Sequence, residues 1–180
     1  MKTFVAILAA LALAPFVSFA GNQQSTSNPV SEAVRNIVAH HGTLMVGAAE
    51  EMPADKYSYR ATPESMTFGH LVMHIAESNE TLCSRISGMT PPAKLHLVDT
   101  DPKDKLVLGL KDSFSFCSTA LQKVDDSGLS QTVPFFGGRT VTKAFMMITL
   151  TDDLYDHYSA QAMYLRLNGK LPPSAQHRRM

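Results

Sequence analysis

The sequence predicts an all-α fold, a four-helix bundle with a long crossover between its second and third helices. Two observations lead there. Apolar residues recur at helical spacing in four separate segments, and Pro, Gly, Asn, Asp and Thr stand where those segments start and stop. Almost no segment alternates apolar and polar residues as a half-buried strand does.

The first helix is expected from Asn28-Pro29, with Asn as N-cap and Pro as first helical residue. Val30, Val34, Ile37, Val38, His41, Leu44, Met45 and Ala48 follow at helical spacing, and Met52-Pro53 ends the run. Residues 53–63 read as a connection. Thr62, Pro63, Glu64 and Ser65 supply caps for the second helix, whose apolar stripe is Phe68, Leu71, Val72, Ile75, Leu82 and Ile86. Gly88 stands at its C-terminal cap, and Pro91-Pro92 lie just beyond. Residues 89–100 form the crossover. Asp101-Pro102 opens a third helix carrying Leu106, Leu110, Phe114, Cys117 and Leu121, which stops near Gly128. Residues 129–139 read as a loop, broken by Phe136-Gly137-Gly138-Arg139. Thr140 then opens the longest helix, through Ala144, Met147, Leu150, Leu154, His157, Gln161 and Leu165 to Gly169, and 171–173 end the ordered chain. Leu44, Leu71, Phe114 and Leu154 are expected in one core.

The domain is expected to span 29–173, after a flexible leader at 21–28 and before a tail at 174–180. Residues 1–20 read as a secretory signal peptide: Lys2 gives a positive start, an uncharged apolar run follows from Phe4 to Phe16, and Ser18 and Ala20 are the small residues of a cleavage site. The alternative is an uncleaved N-terminal anchor, but the run is short for a membrane span. Cleavage after Ala20 implies an exported protein, periplasmic or extracellular, with no membrane span left. Removing 20 of 180 residues leaves 160, enough for one domain with a sizeable core. It also removes Lys2 from 16 basic residues, against 16 acidic ones, for a net charge of −1. That balance argues against nucleic acid as a partner, since phosphate binding needs clustered Lys and Arg. The one basic cluster, His177-Arg178-Arg179, lies in the tail.

Cys83 and Cys117 are the two cysteines. Export permits a disulfide between them, and two buried thiols on neighbouring helices are the alternative. Their separation fits no zinc-ribbon spacing.

Seven histidines are the most informative feature for chemistry. In the second helix His70, His74 and Glu77 stand four and three residues apart, broadly on one face. In the fourth, Asp153 precedes His157 by four. Imidazole and carboxylate are ligands for Zn²⁺, Ni²⁺ or Fe²⁺, and bundles build such sites from inward positions on different helices. The plain alternative is that these histidines make ordinary hydrogen bonds and the acid faces solvent. One of His40 and His41 should face inward; His70 reads as exposed; His96 and His177 carry no argument. Other chemistries find no support: there is no Gly-x-Ser-x-Gly elbow, no Glu-x-x-His pair of a di-iron bundle, and no phosphate-binding context around Phe136-Gly137-Gly138-Arg139. The methionines fall mostly at helical positions and read as core.

Residues 65–79, SMTFGHLVMHIAESN, and 157–174, HYSAQAMYLRLNGKLPPS, resemble the second and last helices of the DinB-like family. Weaker likenesses lie at 48–53, at Phe116-Cys117 and at 135–138. The resemblance implies a four-helix bundle holding a divalent metal ion, with His74 as one ligand and His157 as the second His of the last-helix pair. Where the family usually has the first His of that pair this chain has Asp153, and the resemblance then implies a two-His-one-carboxylate set, His74, Asp153 and His157. It implies a metal-dependent enzyme of hydrolase or thiol-transferase type on an unidentified small-molecule substrate. The thiol-transfer version sits poorly with export, because small thiol cofactors are mainly cytoplasmic. The alternative is a non-catalytic bundle with a degenerate site, binding a small ligand or a protein partner. Monomer and homodimer are both open.

Overall fold

The computed structural model describes residues 28–91 and 96–176. The expected signal peptide, the leader up to residue 27 and the His177-Arg178-Arg179 cluster lie outside the described residues. The protein is mostly helical. Its long helices are α1 (Pro29–Glu51), α2 (Phe68–Ser87), α3 (Lys103–Leu121) and α4 (Lys143–Leu167), joined by a short α5 (Pro173–Gln176) and a two-stranded antiparallel ribbon of β1 (Thr132–Pro134) and β2 (Thr140–Thr142). Helix α2 packs on α3 and α4, and so does α1.

The start of α1 is capped from a distance. Asn28 makes no side-chain cap; instead Asp126 accepts from the amides of Val30 and Ser31 at 3.0 and 2.8 Å and from the Ser31 hydroxyl at 2.6 Å. A carboxylate there meets both the free amides and the positive end of the helix dipole. At the other end Lys103 donates to the carbonyls of Glu50 and Met52 at 2.6 and 2.8 Å, closing α1 against the first turn of α3.

Helix α2 begins later than the cap-like residues 62–65 suggest. Those residues form a turn, with the Ser65 amide on the Thr62 carbonyl, and Thr67 is the N-cap, accepting from the His70 amide at 3.0 Å. Gly88 ends the helix in the left-handed conformation (φ 75°). The crossover returns across α2: a Cβ on Gly69 would stand 2.7 Å from the Asp99 carbonyl, so only glycine admits that backbone.

The segment 129–142 departs from the loop reading. Thr132 pairs with Thr142 and Pro134 with Thr140, with Phe136-Gly137-Gly138 at the tip, so α4 starts at Lys143, with Thr142 as its N-cap, rather than at Thr140. The chain also stays ordered beyond Pro173: α5 follows, and the Ser174 amide donates to the Tyr158 hydroxyl.

One apolar core joins all four long helices, with Met45, Met52, Phe68, Ile75, Leu110, Met147, Leu150 and Leu154 among its fully buried members. Leu44 and Leu71 belong to it, while Phe114 packs on it partly buried. The buried methionines are packing residues. Cys83 and Cys117 are bridged, with Cα atoms 5.2 Å apart, and tie α2 to α3 inside the core.

Candidate metal centre

His74 projects from the middle of α2 and His157 from the middle of α4, and their rings meet edge to face with centroids 4.9 Å apart. Leu71, Val72 and Ile75 on one helix, and Leu154 and Tyr158 on the other, turn inward and set the two histidines at the rim of the core. Only 12 % of the His157 side chain is exposed.

Asp153 lies one turn before His157, and its carboxylate stands 3.2 Å from His157 Nδ1, while its carbonyl is 2.7 Å from the same nitrogen. Both neighbours are acceptors, so Nδ1 carries the proton and Nε2 is left outside this contact. The hydrogen bond that His157 Nδ1 donates to the Asp153 carboxylate, opposed by burial, holds the His157 pKa above its usual value. His74 is shifted the other way, chiefly by burial and then by the neighbouring His157, so it is neutral at pH 7. The pair thus has one imidazole that readily keeps a proton and one that readily offers a lone pair.

His74 and His157 come together, then, and Asp153 contacts the outer nitrogen of His157. Among the described residues no three His, Cys, Asp or Glu side chains are placed to hold a metal ion as a group. His70, one turn above His74, is half-exposed and pairs with Asp99 of the crossover at 3.5 Å. Glu77 is exposed and acts on His74 only through its charge. His41 is the inward member of its pair, 2 % exposed, with Nδ1 donating to the Ile37 carbonyl and its ring 4.2 Å from that of Tyr155; His40 is exposed.

Two contacts to the His70–His74 stripe of α2 were not legible in the sequence. Asp99 reaches His70 from a non-helical crossover, and no local pattern signals that contact. Arg85 lies on the same stripe of α2 as His74, eleven residues on, and its guanidinium covers the Phe136 ring at 4.4 Å; no local pattern signals that contact either. A separate cavity of about 540 Å³ between α1 and α3, lined by Val38, Gly42, Val46 and Phe114 among others, involves none of the histidines.

The DinB superfamily profile matches residues 38–160 of the chain. No curated protein matches it in sequence. Among solved structures it is similar to a DinB-like protein from Bacillus cereus ATCC 10987, at 16 % identity over 79 % of this chain and 95 % of that one, with a TM-score of 0.67. It is similar also to a DinB-like protein from Bacillus subtilis, at 21 % identity over 78 % and 96 % of the two chains, with a TM-score of 0.64. A mutant of the mycothiol-dependent maleylpyruvate isomerase matches at 15 % identity over 72 % of this chain and 59 % of that one, with a TM-score of 0.59. At these identities the likeness to the solved structures is one of fold.

Proposed function

The chain belongs to the DinB superfamily, and we propose that within it the protein is an exported, divalent-metal-dependent enzyme of hydrolase or thiol-transferase type, built as a four-helix bundle and acting on a small molecule in the groove between α2 and α4. The observation that carries this reading is the meeting of His74 and His157 from two helices, 4.9 Å apart, with a carboxylate on the outer nitrogen of one of them.

The donor set fits the ion in kind. Two imidazoles with an adjacent carboxylate suit Zn²⁺, Ni²⁺ or Fe²⁺. His74 and His157 would hold it, and a bound divalent ion supplies Lewis acidity that lowers the pKa of a water or thiol. His74 contributes a lone pair that burial keeps unprotonated at neutral pH. Asp153 works through His157: it fixes the ring and its tautomer and makes the imidazole a stronger donor, the usual service of a carboxylate behind a metal-binding histidine. The disulfide between Cys83 and Cys117 supports export, because such bridges persist in oxidising compartments.

A second reading, a non-catalytic bundle binding a ligand or partner, is favoured by one observation: Asp153 is engaged with His157, and no three-donor group stands assembled among the described residues. Metal content of protein purified without affinity metals separates the two. So does Zn²⁺ and Ni²⁺ affinity of the parent, His157→Ala and Asp153→His. His157→Ala should abolish binding. Asp153→His should strengthen it, because it adds an imidazole while the residue's carbonyl still accepts from His157 Nδ1. Metal binding indifferent to both changes would establish the second reading.

A further inference from the structure

We propose that the substrate of the α2–α4 groove carries a carboxylate and that Arg85 receives it; this rests on the reading of the groove as a reaction site. Helix α2 presents His70, His74, Thr81 and Arg85 at intervals of four, seven and four residues, which keeps them on one stripe. Helix α4 runs antiparallel to it. The Tyr164 hydroxyl meets the Met66 carbonyl at one end, His157 meets His74 in the middle, and the hairpin tip that leads into α4 meets Arg85 at the other end. Phe136 lies under Arg85, and its neighbour Phe135 packs on Phe145 of α4 with centroids 5.6 Å apart, so the tip touches both helices. Backbone positions 74 and 85 are about 16 Å apart along the helix axis.

Arg85 is built like a receptor for an anion. The guanidinium carbon stands 4.4 Å from the centre of the Phe136 ring, and Nη1 is buried without a hydrogen-bond partner among the described residues. No ion pair joins Arg85 to a carboxylate among those residues. A carboxylate would accept two parallel bonds along the edge made by Nε and Nη2, away from the enclosed Nη1. Arg139, over the Phe135 ring at 4.9 Å, adds a second positive charge at the same end. Phe136 and Phe145, 49 % and 50 % exposed, offer aromatic surface to the body of the molecule. The substrate class is therefore an elongated carboxylic acid with an apolar body, its acid group at Arg85 and its reacting end towards the histidines.

The test uses the mature chain and two probes, 4-phenylbutyrate and its neutral amide, 4-phenylbutanamide, followed by amide and guanidinium NMR shifts. The acid should shift the Arg85 side chain and the Phe136–Gly138 amides, and the amide probe should not. Arg85→Ala should weaken the acid by about tenfold or more, as expected for a charge-assisted pair. Arg85→Lys, which keeps the charge and loses the fork, should fall between. Acid and amide binding alike, or an acid indifferent to both Arg85 variants, overturns the proposal. So does loss of binding to phosphatidylglycerol vesicles in Arg85→Ala with no acid binding by the parent, which would give the aromatic tip to a lipid surface. Zn²⁺ titration of the parent reads the histidines separately. Acid bound through Arg85 without any metal site sinks the metal reading alone; a metal site with acid and amide bound alike sinks this one alone.

Discussion

Opening the Cys83–Cys117 bridge should lower stability by about 3–4 kcal/mol, a large part of what a domain of this size has to lose. The bridge joins residues 34 apart. A cross-link of that span removes roughly 13 cal/mol/K from the entropy of the unfolded chain, or about 3.8 kcal/mol near room temperature. Both cysteines are fully buried between α2 and α3, so the reduced sulfurs must also move apart inside a packed core, and that adds to the loss. Urea unfolding of the oxidised and reduced protein, followed by helix circular dichroism, measures the effect; at a slope of roughly 2 kcal/mol/M the midpoint should fall by about 2 M. A Cys83→Ala, Cys117→Ala double variant should fall at least as far, since it adds a cavity. Coincident midpoints, with the thiols of the reduced sample demonstrably free, would refute the chain-entropy argument. Two thiols that label freely in protein isolated without reductant would remove its starting point.

Phe68, fully buried with its ring 5.2 Å from Tyr57 and 6.0 Å from Tyr164, should cost about 3–5 kcal/mol when cut back to alanine, measured by the same urea titration. The Ser31 hydroxyl, and then the Val30 and Ser31 amides, hold the Asp126 carboxyl below its ordinary value of 3.8. A pKa lower in the folded state makes its contribution whole above about pH 4 and lost as pH falls through the folded value. Asp126→Asn should therefore lower the melting temperature at pH 7, and the gap to the parent should narrow below pH 4. In an NMR titration of the metal-free protein, His157 should titrate above 6.5 and His74 below it; the reverse order would mean that Asp153 does not sit on His157.

Where the fold was legible, the signal was local. Pro29, Pro53, Gly88 and Gly169 punctuate the helices in the sequence, and the helices end within a few residues of them. The ribbon escaped because each strand has three residues, too few for alternation to register, and its pairing is made across a turn. The start of α2 was misplaced for a related reason: 62–65 has the composition of a helix cap but spends it on a turn, and the Phe68 and Gly69 amides bond instead to the carbonyls of Tyr59 and Tyr57. The same division runs through the site. His74 and His157 were visible as residues at helical spacing and by resemblance. Which nitrogen Asp153 touches, which crossover residue reaches His70, and which ring underlies Arg85 depend on contacts between distant parts of the chain, and periodicity carries no information about those.

The cap on α1 has a consequence for how the molecule assembles. Its first turn borrows a carboxylate from 95 residues further on, so the amides of Val30 and Ser31 have no Asp126 partner while the rest of the chain is unmade or unthreaded. A protein emerging through a membrane pore amino end first would present α1 early and complete its cap late, after α3 and the turn behind it have arrived. The beginning of the first helix then closes only when the turn that carries Asp126 is in place. Hydrogen exchange at those two amides would report on completion of the whole fold rather than on the helix that contains them.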